Sequence, residues 1–181
     1  MSHSRADWIE VAWEALGEAG VQGVRVERLA RKLGVTKGSF YWHFRNRQEL
    51  IDALLDRWFD MREEAHQSYL TENPDPAERL WKVIERAISR GTRGQAAALR
   101  FWAQRNPPVA ERIEKEDLKR LNRFSQDFEQ LGFGQQEAET RAEVYSSMIT
   151  AEFLRSGAEA TRARLEAARR MHDLLVNGRG G

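Results

Sequence analysis

The chain has 181 residues, with 29 Lys and Arg against 28 Asp and Glu, a net charge of +1 and 41% hydrophobic residues. That length holds one or two domains with a core of useful size, and the absence of cysteine excludes disulfides, thiol catalysis and cysteine-ligated metals. The opening Met1-Ser2-His3-Ser4-Arg5 lacks the apolar stretch of a signal peptide, and no run of about 18 apolar residues could span a membrane, so a soluble, cytoplasmic protein is expected.

Helix signals begin at once. Ser4-Arg5-Ala6-Asp7 has capping-box spacing. Trp8, Ile9, Ala12, Trp13 and Leu16 then mark an amphipathic first helix that Gly20 and Gly23 end. Val26, Leu29, Ala30 and Leu33 fall at i, i+3, i+4 and i+7, one apolar face of a short second helix. Gly34 follows where a left-handed cap favours glycine, and Thr36 is placed to cap a third helix with its side-chain oxygen. Helix, tight glycine turn, helix is the helix-turn-helix pattern, whose second helix enters the major groove of DNA.

The third helix carries Lys37-Gly38-Ser39-Phe40-Tyr41-Trp42-His43-Phe44. Only Phe40 and Phe44, at i and i+4, can share an interior. Lys37, Ser39, Tyr41, Trp42 and His43 are left on or near the outside, a surface better suited to a DNA groove than to water. Charge agrees. From Arg25 to Arg47 seven cations face a single carboxylate, Glu27, a net +6 that leaves −5 for the rest of the chain. A basic head on an acidic body suggests phosphate binding.

The segment from Trp8 to Asp56 resembles the DNA-binding head of the TetR family of bacterial transcriptional regulators. The ordered string Gly34-Val35-Thr36-Lys37-Gly38-Ser39, then Tyr41, His43 and Phe44, carries the likeness, supported by Gly20, Val26, Leu29, Ala30, Leu33, Arg47, Glu49, Leu50 and Leu54. Where the family often opens helix two with Ser or Thr, this chain has Arg25. Read from residue chemistry and from the resemblance together, Arg25, Thr36, Tyr41, His43 and Arg47 are expected to anchor phosphates. Lys37, Gly38, Ser39 and Trp42 are expected to read bases: lysine donates to guanine O6 and N7, and a ring covers a thymine methyl. Gly38 lets the helix backbone approach the groove floor.

The rest reads as helix. Asn46 caps a fourth helix with Glu49 at its third position. Its apolar band, from Leu50 and Ile51 to Phe59 and Met61, is wide enough to pack on two sides, and it is expected to touch both head and body. Asp75 and Pro76 open a fifth helix bearing Leu80, Val83, Ile84, Ala87 and Ile88. Gly91 and Gly94 punctuate, and Ala96 to Ala103 forms a short sixth helix. Ile113, Leu121, Phe124, Phe128 and Leu131 mark the seventh, ended by Gly132. Ala138, Ala142, Tyr145, Met148 and Ile149 mark the eighth, with Gly157 as its stop. Leu165, Ala168, His172 and Leu175 mark the ninth, before a frayed tail from Asn177.

The expectation is therefore an all-α protein of about nine helices. Residues 1–47 form the helix-turn-helix domain and 48–181 a helical ligand-sensing and dimerisation domain. The family resemblance implies a homodimer through the last two helices. Ala142, Ser146, Ser147, Ala151, Ala160 and Ala168 would allow close helix approach there, although such residues equally suit contacts within one subunit. Dimerisation also follows from the DNA side: one three-helix head makes few contacts, and two heads about 34–36 Å apart read successive major grooves of a palindromic operator.

Trp58, Phe59, Trp81, Phe101, Trp102, Phe124 and Phe128 concentrate rings mid-chain and are the candidate lining of an effector pocket; any one of them is equally a core residue. No charged cluster on these helices marks an ionic ligand, so a planar or hydrophobic effector is expected. His3, His43, His66 and His172 show no metal spacing, and no phosphate loop or nucleophile elbow is present. No catalytic residue, metal or cofactor is expected. Three readings stand: a ligand-released repressor, a DNA-binding regulator that senses no small molecule, and an enzyme on a helical scaffold.

Overall fold

A computed structural model of the protein describes residues 3–89, 93–154 and 161–178. Gly91, Gly157, Ala160 and the tail beyond Gly178, all given roles from sequence, lie outside the described residues. Among those described, the chain is helical throughout: α1 (Arg5–Gly23), α2 (Val26–Leu33), α3 (Lys37–Phe40), α4 (Arg47–Glu72), α5 (Pro76–Ser89), α6 (Arg93–Ala103), α7 (Pro107–Gln130), α8 (Gln135–Leu154) and α9 (Thr161–Asn177).

The helix ends obey local chemistry. Ser4 and Asp7 form the reciprocal capping box at α1, each side chain accepting from the other's backbone N–H. Asn46 Oδ1 accepts from the Glu49 N–H at 2.9 Å at the start of α4, and Asp75 Oδ1 accepts from the Ala77 N–H at 3.0 Å at the start of α5. Each such cap contributes about 1 kcal/mol. α1 breaks before its end: Gly20 takes φ 64°, a left-handed conformation that a β-carbon disfavours, and only one further turn follows.

Packing divides the chain into two compact units, Met1–Glu63 with Gly94–Val109, and Glu64–Arg93 with Ala110–Gly181. The first unit is thus larger than the helix-turn-helix itself and includes the first part of α4 and all but the first residue of α6. Its core holds Trp8, Leu16, Leu29, Phe40, Phe44, Leu50 and Leu54, all essentially inaccessible to water. Ala96 and Leu99 of α6 are equally buried. α6 lies close against α1, since a β-carbon at Gly94 would stand 2.8 Å from the Gly17 carbonyl oxygen. Beside this crossing Gln95 Nε2 donates to the Trp13 carbonyl at 3.3 Å.

In the second unit α5 packs on α8 and α9, and α8 on α9. Leu80, Ile84, Ile88, Phe128, Tyr145 and Ile149 are central to its core. Two polar constructions sit within that apolar mass. Arg79 donates to Asp127 Oδ1 from Nε at 3.0 Å and from Nη2 at 2.6 Å. It also reaches Gln130 Oε1 at 2.7 Å and the Asn73 and Pro74 carbonyls at 3.2 and 2.8 Å. A buried ion pair needs this kind of saturation to offset the loss of water; burial still pushes the Asp127 carboxyl above its usual range, against the pull of Arg79. In the second construction the Tyr145 hydroxyl meets His172 Nδ1 at 2.9 Å. Burial, and after it the Arg169 cation, holds that imidazole below its ordinary pKa.

Candidate nucleic-acid interface

The helix-turn-helix corner is built from the predicted parts. Gly34 adopts φ 69°, ψ 27°, and its N–H bonds back to the Ala30 and Arg31 carbonyls. The Val35 N–H returns to the Ala30 carbonyl at 3.0 Å. Phe40 is the pivot: its ring stands edge-on to Trp8 of α1 and stacks on Phe44, each at 5.3 Å, and the Arg5 guanidinium lies 4.6 Å from the Phe44 ring centre. With Phe40 and Phe44 held inside, α3 can present only its opposite side. Its regular turn is shorter than the sequence implies, ending at Phe40, and tight bonds from Trp42 to Ser39 and from His43 to Phe40 carry the chain on.

The nine residues assigned to DNA fall into two groups. Trp42 is 88% exposed and Tyr41 56% exposed. Thr36, Lys37 and Gly38 are also exposed, and Ser39 and His43 are half-buried. These seven flank the buried Phe40 in the chain. Thr36 holds the N-cap position of α3, but its side chain makes no capping bond, contrary to the expected hydroxyl cap. Around Gly38 space is open, the nearest atom to an added β-carbon being Thr36 Oγ1 at 3.6 Å.

Arg25 and Arg47 both bond to backbone carbonyls at the end of α1. Arg25 is the N-cap of α2 without a side-chain capping bond, and its Nε donates to the Gln22 carbonyl at 3.1 Å. Arg47 is turned onto the end of α1, donating from Nε to the Val24 carbonyl at 2.6 Å and from Nη2 to the Val21 carbonyl. Burial, with Arg25 nearby, lowers the pKa of its guanidinium. Its donors serve the fold, closing carbonyls that the broken helix leaves open.

The basic head is also less bare than its sequence suggests. Glu10, Glu14 and Glu18 line one face of α1 at spacings of four and pair with Arg57 at 2.7 Å, Lys32 at 2.6 Å and Arg28 at 2.8 Å. That acidic stripe was readable from its period but was not singled out. Lys37, at the head of α3, pairs with Glu27 of α2 at 2.5 Å. Their hydrogen bond raises the lysine pKa and lowers that of the carboxyl.

The seven mid-chain rings are distributed over both units. Trp58, Phe59, Phe101 and Trp102 lie in the first, and Trp81, Phe124 and Phe128 in the second. Phe101 is 57% exposed. Phe124 and Phe128 are packed edge-on to Tyr145 at 5.5 and 6.0 Å. Cations also lie among the rings. The guanidiniums of Arg62 and Arg100 lie over Trp58 at 5.2 and 5.5 Å, and Arg57 lies over Trp13 at 5.6 Å. A surface groove of about 380 Å³ between α7 and α8 is lined by Leu121, Asn122, Ser125, Gln126, Glu129, Glu139 and Glu143, with none of the seven rings among them. Among the described residues no group of His, Asp and Glu could hold a metal, and no helix is long and apolar enough to cross a membrane.

Known proteins place this geometry. The sequence model of "Bacterial regulatory proteins, tetR family" matches residues 9–54, which contain α2, α3 and the exposed string. The tetracycline repressor protein class A from transposon 1721 of Escherichia coli is 46% identical over 48 residues, 26% of this chain and 22% of that protein. The match therefore spans about a fifth of that relative's length. A solved TetR transcription regulator from Haloarcula marismortui superimposes with a TM-score of 0.78 at 16% identity, covering 96% of each chain. AibR, solved in complex with isovaleryl coenzyme A and operator DNA, gives a TM-score of 0.72 at 19% identity, covering 95% of this chain and 97% of that one. Residues 9–54 are thus similar to the TetR-family DNA-binding head, and the all-helical fold of the solved regulator extends over nearly the whole chain.

Proposed function

We propose that the protein is a sequence-specific DNA-binding transcriptional regulator, a repressor released from a palindromic operator by a small hydrophobic ligand. The observation that carries the reading is the exposure of Thr36, Lys37 and Gly38 before the buried Phe40 and of Tyr41 and Trp42 after it, with Phe44 holding the far end inside. Large rings so open to water at a helix-turn-helix reader have a groove as their natural counterpart. TetR-family members are regulators, not enzymes, which removes the catalytic reading.

Seven residues carry the interface: Lys37, Gly38, Ser39 and Trp42 toward bases, and Thr36, Tyr41 and His43 toward phosphates. Arg25 and Arg47 act behind it, by fixing the end of α1. Homodimerisation through α8 and α9 is supported by Val144, Ser147 and Ala151, exposed along one face of α8, and by Met171 and the 73%-exposed Leu174 of α9. Ala142 and Ala168 pack inside the subunit's own core instead. Release by a ligand draws support from AibR, which was solved with both an acyl coenzyme A and its operator. Regulation without a small molecule is favoured by the packing of Phe124 and Phe128 into the core.

The test is selection of binding sites from a random duplex library, followed by gel shifts. The expected result is a palindromic site bound by a dimer, with Tyr41→Ala and Lys37→Ala each weakening binding by about 1–3 kcal/mol in a folded protein. A folded wild type that selects no sequence refutes the proposal. Hydrophobic compounds that quench tryptophan fluorescence without altering operator affinity would leave the regulator that senses no ligand.

A further inference from the structure

Glu27 is the only carboxylate between Arg25 and Arg47, and it is bonded to the one cation at the mouth of the reader helix. Lys37 Nζ stands 2.5 Å from Glu27 Oε1, a link from α2 to α3, with both side chains about half exposed. Lys32 and Arg28 also meet carboxylates, but those belong to α1. Of these three pairs, only Lys37–Glu27 includes a residue of α3.

We propose that Glu27 is a specificity-determining residue that turns Lys37 from a phosphate binder into a base reader. This rests on the DNA-binding reading above. An ammonium has three donors. With one on Glu27, two remain for the O6 and N7 acceptors of a guanine edge, which carry no net charge, so the pair survives the contact. A phosphate brings an anion beside the Glu27 carboxylate and is repelled. The Lys37–Glu27 pair is also neutral as a unit, so bringing it to a phosphate displaces fewer condensed cations from the DNA, and that release is the main source of affinity for DNA of any sequence. Glu27 therefore suppresses non-specific binding and leaves the base contact in place.

The experiment measures fluorescence anisotropy over a salt series on two duplexes of equal length: the site selected by the wild type, and a scrambled version of it. Glu27→Gln keeps the shape and removes the charge. Freeing one lysine per head for phosphate is worth about fivefold per head on the scrambled duplex at 0.15 M salt, and steepens its log–log salt slope by about 0.9 per head. Operator affinity should stay within about twofold, so the ratio of operator to scrambled affinity falls. In a Lys37→Ala background the same Glu27→Gln change should leave that ratio unaltered, because the two residues act as one unit. Equal tightening on both duplexes, or an equal fall in ratio without Lys37, overturns the inference while the DNA-binding reading stands. A wild type that selects no site overturns both.

Discussion

Gly38→Ala separates what the fold needs from what the groove needs. The added methyl meets only Thr36 Oγ1, at an ordinary 3.6 Å, and Gly38 is not among the glycines with positive φ. Neither clash nor strain opposes the change. Replacing a helical glycine by alanine lowers the entropy of the unfolded chain and stabilises by about 0.4–1 kcal/mol, the lower end applying at the second residue of so short a helix. For a chain of this size that raises Tm by about 1–3 °C. If the α3 backbone lies against base edges, the same methyl occupies the space of a groove atom. Losing one base-edge contact costs about 1–3 kcal/mol, or roughly fivefold to 150-fold in Kd. Circular dichroism melting and anisotropy on the selected operator give the two numbers. A variant with raised Tm and wild-type affinity would refute close backbone approach at Gly38. One that melts lower would refute the account of open space.

At Gly94 the opposite holds: Gly94→Ala drives a β-carbon to 2.8 Å from the rigid Gly17 carbonyl, and chemical denaturation should show a net loss of about 1–2 kcal/mol after the gain in helix propensity. Gly17→Ala meets only the movable end of Gln95 and should cost less. Arg79→Ala strands the buried Asp127 and should destabilise by about 3–5 kcal/mol, whereas the double change Arg79→Met with Asp127→Leu should recover most of it in urea unfolding. His172 has a folded pKa below its usual 6.5 because it is buried. The unfolded chain therefore binds the proton first as pH falls. The stability His172 contributes is intact above about pH 6.5 and drops as pH descends toward the folded value. Tm measured from pH 7.5 to 5 should fall more steeply in the wild type than in His172→Asn.

What the sequence made legible was what neighbouring residues decide. Ser4 with Asp7, Asn46 with Glu49, Asp75 before Pro76, and Gly34 after Leu33 mark helix ends through bonds that span two to five residues. The exposed reader string was legible for the same reason, since the spacing of Phe40 and Phe44 fixes which side of a single turn is left over. The bonds of Arg47 to the Val21 and Val24 carbonyls were not legible, because they appear only once α1 has broken at Gly20 and lies beside the start of α4. The Arg79–Asp127 web joins positions 48 apart, and no periodicity announces it. The division of the rings between the two units was not legible, because proximity in sequence says nothing about which compact unit a helix joins. Trp58 and Trp81 lie on consecutive helices yet in different units, and the guanidiniums over Trp58 arrive partly from α6.

The backbone contact between Gly17 and Gly94 also fixes a timetable. The unit that contains the reader helix takes in residues up to Glu63 and then waits for Gly94–Val109, so a ribosome must extend the chain through the intervening residues before Ala96 and Leu99 can fill their places. Synthesised at about 5–20 residues per second, that detour leaves the nascent head with part of its apolar interior open for several seconds. A fragment cut after α4 would keep that opening permanently, so the reader helix, complete in sequence by Phe44, gains its full support only when α6 has left the ribosome.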